Sequence, residues 1–261
     1  MGADLFSIGR SSLRTSKKSL ATTSHNIANA NTEGYSRQVV KAATTSPVKS
    51  GNNVFGTGVR VRSVKREHDQ LVEKKLNIST ANHKFDSERS NQLGRVEEIF
   101  NEINSDGMNK VLNRFFNTFR ELSNQPENEV VRTLVRDNAN IVVQDFKRIS
   151  EDITASKELM ETQIHQSVED INTLAKTIAS LNVEVTRLEN GGGETGDLRD
   201  QRDSAIRQIA EFFEVNTYED GNGQYVVNIV GAGSLVAGGS VNTLKSGYIT
   251  DGTVGSYKGE G

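Results

Sequence analysis

The sequence predicts a mainly α protein, a long antiparallel helical bundle or coiled coil with a small β portion, and three observations point there. Between about Glu127 and Asn190 there is neither proline nor glycine, while apolar residues recur at steps of three, four and seven. Only 34% of the residues are hydrophobic and there is no Trp, which suits helices that bury one narrow stripe and leave the rest wet. After Glu214 the pattern changes to short alternating runs punctuated by glycine, the mark of strands and turns.

Four parts follow in order. Residues 1–38 read as an N-terminal assembly helix, about Ala3 to Ala30, with an exit corner. Phe6, Leu13, Leu20 and Ile27 recur every seven residues. The positions that would complete a heptad seam are Gly9, Ser16 and Thr23, or Arg10, Lys17 and Ser24, and none is apolar. So narrow a stripe is too little to hold a helix by itself, so this one is expected to depend on assembly and to borrow stability from other helices.

Residues 39–66 read as loop and short strands. Val59, Val61 and (with a slip) Val64 alternate with Arg60, Arg62 and Lys65, as on a strand with one wet face. Those cations are either a solvated face or a contact strip for a partner. Pro47, Gly51, Gly56 and Gly58 mark the stretch before them as loop.

Residues 67–213 read as the helical bundle. One helix runs from about Glu67 until Asn104–Gly107 breaks it, and a shorter amphipathic one closes at Pro126. The third, of roughly 60 residues and about 90 Å, has a seam through Val135, Val142, Phe146, Ile149, Ile153, Met160, Ile164, Ile171 and Ile178. Ser156, Gln163 and Ser167 interrupt that seam, so a break or repacking is expected there. Gly191–Gly193 stop it, and a last helix places Leu198, Ile206, Ile209, Phe212 and Phe213 on its apolar side. Residues 214–261 read as a β-rich portion, with a hairpin signal at Gly221–Gly223. It ends without a helix, a cap or a closing strand and is read as truncated.

Little here suits catalysis. The absence of cysteine removes thiol chemistry, disulfides and most zinc sites. His25, His68, His83 and His165 lack paired-ligand spacing, and no nucleophile elbow, phosphate loop or dinucleotide fingerprint occurs. Asp197, Asp200 and Asp203 open a helix, where acids suit the unpaired N–H groups; Arg199 and Arg207 lie four residues from Asp203 for ion pairing. No metal, cofactor or catalytic residue is expected. Net charge is −3, which argues against nucleic acid as a partner. No run approaches the ~18 apolar residues of a membrane span, and no cleavable signal is visible. The basic, Ser- and Thr-rich stretch from Arg10 to Arg37 leaves an alternative open: a helical protein with an N-terminal targeting segment.

The stretch "NIANANTEGYSRQ", Asn26 to Gln38, does not fit any of these chemistries. Asn29, Asn31 and Gly34 tolerate left-handed backbone and can end a helix in a defined corner. Tyr35 supplies a ring to bury and a hydroxyl to bond. Arg37 and Gln38 are long planar donors suited to a neighbour. A helix cap followed by a plain loop accounts for the same residues equally well.

That stretch resembles the signature of the bacterial flagellar rod, hook and hook-associated axial protein family, with Glu33 where the usual form has proline. "GTGVRVRSVKREHDQLVEKKL", Gly56 to Leu76, is similar to the family's second block. "FFNTFRELSNQPENEVVRTLV" and "DLRDQRDSAIRQIAEFFEV" resemble its hook-associated protein 1 (FlgK) branch. The resemblance implies a structural part of the flagellum at the hook–filament junction, exported through the flagellar type III apparatus without a cleaved signal peptide. Its implied partners are copies of itself in a ring, the hook protein and the next hook-associated junction protein. No stable membrane insertion is implied. In the family the N-terminal helix lies in the inner tube. That makes Phe6, Leu13, Leu20 and Ile27 the expected seam, and Asn31, Gly34, Tyr35 and Arg37 the exit corner. A hook or rod component of the same family is the alternative.

Overall fold

The computed structural model describes residues 5–50, 52–100, 107–219 and 225–247. Its helices are α1 (Leu5–Ala28), α2 (Gln70–Phe100), α3 (Met108–Asn124), α4 (Glu129–Asn190) and α5 (Gly196–Ala210). Its strands are β1 (Gln38–Thr44), β2 (Val48–Ser50), β3 (Asn53–Phe55), β4 (Val59–Arg66), β5 (Val215–Glu219), β6 (Tyr225–Ile229), β7 (Gly233–Ala237) and β8 (Ser240–Val241). The fold is mainly helical with a small antiparallel β portion, as the sequence predicts. Two compact units divide the chain: one from residues up to Asn82 together with those from Asp170 onward, the other from His83–Glu169.

In the first unit the core lies where three elements meet. Ile171, Ala175, Ile178 and Ala179 fall on one face of α4 by helical spacing. They pack with Ala205, Ile206, Ile209 and Ala210 of α5 and with Val215, Val227, Ile229, Leu235 and Val236 of the sheet β5-β6-β7-β8. Val215 stands opposite Ile229 and Thr217 opposite Val227, so the inward face is set by the two-residue period. The turn expected at Gly221–Gly223 lies outside the described residues. Phe212 and Phe213, expected on the apolar side, follow the end of α5 and are 44% and 37% exposed.

Two asparagines bind this unit by the same device. The Asn172 side chain donates Nδ2 to the Leu244 carbonyl (3.0 Å) and accepts the Leu244 N–H (2.8 Å), as a strand residue would. Buried Asn182 donates to the carbonyls of Gly238 (2.8 Å) and Tyr225 (3.2 Å) and accepts from Arg202 Nη1 (3.1 Å). The Arg202 guanidinium lies 3.8 Å from the centre of the Tyr225 ring. Burial lowers the pKa of Arg202, with Asp203 pulling the other way.

β1 and β4 form an antiparallel ribbon with Val59, Val61 and Val64 half-buried and Arg60, Arg62 and Lys65 exposed. The slip in the sequence pattern has a structural cause. Lys41 pairs with Ser63 and Ala42 with Val61, so Arg62 is the extra residue of a bulge. The expected loop before β4 contains a short hairpin instead, β2 against β3. There Val48 stands opposite Phe55 and Lys49 opposite Val54.

In the second unit α3 and the first part of α4 form an antiparallel hairpin, with Asn138 Nδ2 donating to Thr118 Oγ1 at 3.3 Å. The turn uses Pro126, and Asn128 caps α4 by accepting the N–H groups of Val130 and Val131. Val111, Val131 and Ile149 are buried. Gly107 precedes α3; the rest of the expected break at Asn104–Gly107 lies outside the described residues. The break or repacking expected near Ser156, Gln163 and Ser167 is not a break, since α4 runs unbroken through all three. There is no proline or glycine there to break it, and the neighbouring Thr154 and Thr162 return their hydroxyls to the helix, at Ser150 O (2.8 Å) and Glu158 O (3.0 Å).

Candidate assembly surface

α1 rests on the β1–β4 ribbon by its polar side. Thr22 is buried, and Ile8, Ser11, Thr15, Lys18, Ser19, His25 and Asn26 are half-buried. Ser11 Oγ donates to Ile8 O (2.8 Å) and lies 3.4 Å from the Val59 N–H. At that close approach Gly58 has φ +116°, and a Cβ there would collide with Ser11 Oγ. The expectation that this helix borrows stability from other helices is therefore corrected: within the chain its support is a β ribbon. Small hydroxyl side chains and one glycine let the helix sit close to that ribbon without an apolar seam.

The apolar row is on the other side. Phe6, Leu13, Leu20 and Ile27 are 87%, 73%, 69% and 71% exposed. All four predicted seam residues thus share one outward row, on a helix whose opposite face is tied down.

At the end of α1 the chain reverses through a corner held by side-chain hydrogen bonds. Asn29 Nδ2 donates to His25 O (3.0 Å) and closes the last turn of the helix. Gly34 has φ +78°, and the Tyr35 N–H donates to Thr32 O (3.2 Å), a turn of type II. Left-handed backbone is confined to glycine among the described residues, so Asn29 and Asn31 do not use the freedom predicted for them. Asn31 is exposed.

Tyr35 anchors the corner. Its hydroxyl donates to Asn26 Oδ1 (2.7 Å) and accepts from His25 Nδ1 (2.9 Å), while the two rings meet edge-on at 5.6 Å. Asn26 is the hub, a role its sequence position did not reveal. Besides the phenol, its Oδ1 accepts the Gln38 N–H (2.9 Å) and its Nδ2 donates to the Gln38 carbonyl (2.8 Å). The last turn of α1 is thereby paired to the first residue of β1. Desolvation, then the charges of Asp197 and Asp200, raise the pKa of the Tyr35 phenol above its usual 10.0. A raised acid binds its proton more tightly in the folded state, so this contribution is complete below pH 10.0 and is lost above it. Tyr35→Phe removes both hydroxyl bonds and is expected to lower stability by about 1 kcal/mol in urea denaturation. Glu33 is the second residue of the turn, where the resembled signature has proline. Glu33→Pro is expected to raise stability by roughly 0.4–1 kcal/mol by restricting the unfolded chain, read as a higher Tm.

α5 holds the corner from beneath. The Ser36 N–H donates to Asp200 Oδ2 (2.8 Å), and Gln38 Nε2 donates to Asp197 Oδ1 (2.6 Å). Arg66 Nη1 lies 2.8 Å from Asp200 Oδ1 and 2.6 Å from Asp203 Oδ2. Burial works against the Arg66 cation, but the two carboxylates outweigh it and raise its pKa. Lys18 pairs with Glu194 at 2.7 Å at the surface. The i,i+4 pairs predicted on α5 are not what forms. Asp203 turns inward to Arg66, Arg199 pairs with Glu189 (2.7 Å) and Arg207 with Glu73 (2.9 Å). A buried carboxylate takes the one cation that reaches it from β4, and the arginines are left to partners nearer the surface. Gln38, expected to reach a neighbour, is used here; the Arg37 side chain is exposed. Among the described residues no group of three or more histidines and acids is arranged to hold a metal ion.

Comparison with known proteins agrees with this architecture. Residues 93–258 match the model of the flagellar hook-associated protein FlgK helical domain, and residues 6–35 that of the flagella basal body rod protein. The chain is 30% identical over 234 residues to flagellar hook-associated protein 1 of Bacillus subtilis, covering 87% of this chain and 46% of that protein. With the Escherichia coli protein of the same name it shares 25% identity over 244 residues, 93% of this chain and 44% of the relative. The chain therefore spans less than half the length of these relatives. The fold is similar to the flagellar hook junction protein FlgK from Burkholderia pseudomallei, with a TM-score of 0.56 and 20% identity over 65% of this chain and 30% of that one. The helical-domain match covers more than half of the sequence, so the chain belongs to the FlgK family of flagellar hook-associated proteins.

Proposed function

We propose that this protein is a mechanical adaptor at the hook–filament junction, and that α1 is the part by which it enters the axial tube. One observation supports this above the others. α1 is fixed to the body of the chain by its polar side while Leu13, Leu20 and Ile27 stand in an exposed row, with Phe6 continuing it. Such a row is buried when neighbouring helices close around it, and burying each large apolar side chain is worth about 1.5–3 kcal/mol.

The corner gives the adaptor its stiffness. Asn26, Tyr35, Gln38 and Asp200 fix the angle at which α1 leaves the ribbon, so a force on α1 passes through bonded groups rather than a slack loop. Exposed Asn31 and Arg37 flank the corner and are offered to neighbouring subunits. The proposed partners are copies of this protein in a ring, the hook protein and the next hook-associated junction protein, with delivery by the flagellar type III apparatus. The long α4 and the helical-domain match favour the junction over a rod or hook place.

Immunogold labelling of isolated flagella tests the placement. Gold is expected in one narrow zone between hook and filament. Labelling spread along the hook body or confined to the rod would move the protein to one of those places instead.

A further inference from the structure

α1 bears charge of one sign only. Arg10, Arg14, Lys17 and Lys18 lie on it, and Leu5–Ala28 contains no Asp or Glu. Lys18 turns to Glu194 and is used within the chain. Arg10, Arg14 and Lys17 are exposed. Their positions relative to the apolar row are regular. Arg10 lies four residues after Phe6 and three before Leu13; Lys17 lies four after Leu13 and three before Leu20. A cation therefore stands beside the first two of the three gaps of the row on one flank, and Ser24 beside the third. The other flank, Gly9, Ser16 and Thr23, is uncharged and small, and a Cβ placed on Gly9 would meet open space.

We infer that the α1 face selects its partner by charge, and that the occupant is an amphipathic protein helix with an apolar seam and an acidic flank facing Arg10, Arg14 and Lys17. This rests on the reading of α1 as the assembly helix and specifies the chemistry of what it meets. The apolar row supplies the contact, as in any paired helix. The cationic flank sets the register and rejects basic helices, because like charges across a seam repel. The uncharged flank lets the partner lie close on that side.

The probes are three fluorescent 24-residue peptides with leucine at heptad positions and glutamate, glutamine or lysine on one flank. Binding to the complete protein is followed by anisotropy. The glutamate peptide is expected to bind about tenfold more tightly than the lysine peptide at low salt, with the preference shrinking at high salt. The double variant R10E/K17E, both exposed positions, is expected to reverse the order, and Leu13→Asp to lose all three peptides. Equal binding of the three peptides, unchanged in R10E/K17E, overturns charge selection while leaving the apolar seam standing. Failure of every peptide to bind the unaltered protein overturns the seam and this inference together. Phosphatidylglycerol vesicles are the remaining arm: tighter binding to them than to the glutamate peptide, abolished in R10E/K17E, means that the cations serve a lipid surface and the inference is wrong.

Discussion

Leu13→Asp leaves the isolated protein folded and stops it from entering the flagellum. Leu13 is 73% exposed in the free chain, so the change should move stability by no more than about 0.5 kcal/mol. In a closed ring of helices the same carboxylate is stripped of water, and burying a charge in the apolar row costs several kcal/mol even with Arg10 and Lys17 on its flank. The contribution of the leucine is lost as well, in every copy. Thermal melts of the purified variant should overlay those of the parent, while cells carrying it shed unanchored filament protein and do not swim. A variant that melts normally and swims normally removes Leu13 from the interface.

Asp200→Ala has the opposite signature, a large loss of stability from a residue buried within the chain. Asp200 accepts from Arg66 and from the Ser36 N–H and is 7% exposed. Its removal leaves Arg66 buried with Asp203 alone and orphans a backbone donor at the corner. Breaking a buried pair from one side costs about 3–5 kcal/mol. Urea denaturation should show that loss, and limited proteolysis should find the corner newly open. Asp137→Ala is the control, since Asp137 and Arg136 form an exposed pair at 3.4 Å, worth less than about 1 kcal/mol.

What could be read in advance follows the range of the interactions involved. The helices were legible because each is set by local spacing, and α4 in particular by an uninterrupted run without glycine or proline. β4 was legible down to the slip in its alternation, which is a bulge at Arg62, whereas its partner β1 was not picked out as a strand. The corner was only half legible. Gly34 and Tyr35 announce a turn and an anchor, but Asn26 looks like any polar residue late in a helix. Nothing local says that its amide will pair with Gln38, twelve residues on. Asp200 and Arg66 were hidden for a stronger reason: they are 134 positions apart, and local rules assign acids on α5 to arginines on α5. The support of α1 was misjudged in kind. The seven-residue rule looks for an apolar seam, whereas Ser11, Thr22 and Gly58 let a helix dock on a ribbon without one.

The account comes down to two faces of one helix, one closed within the chain and one closed only by company. The protein has no cysteine, so a single introduced thiol reports on its own position. Leu20→Cys and Thr22→Cys place that thiol on the outward and ribbon-facing sides, and each is treated with a maleimide in the dilute protein and in isolated flagella. Leu20→Cys should react rapidly in the dilute protein and become protected in the flagellum, while Thr22→Cys stays slow in both. Protection of Leu20→Cys in the dilute protein, or equal reactivity before and after assembly, contradicts the assignment of α1 as the helix that other subunits enclose.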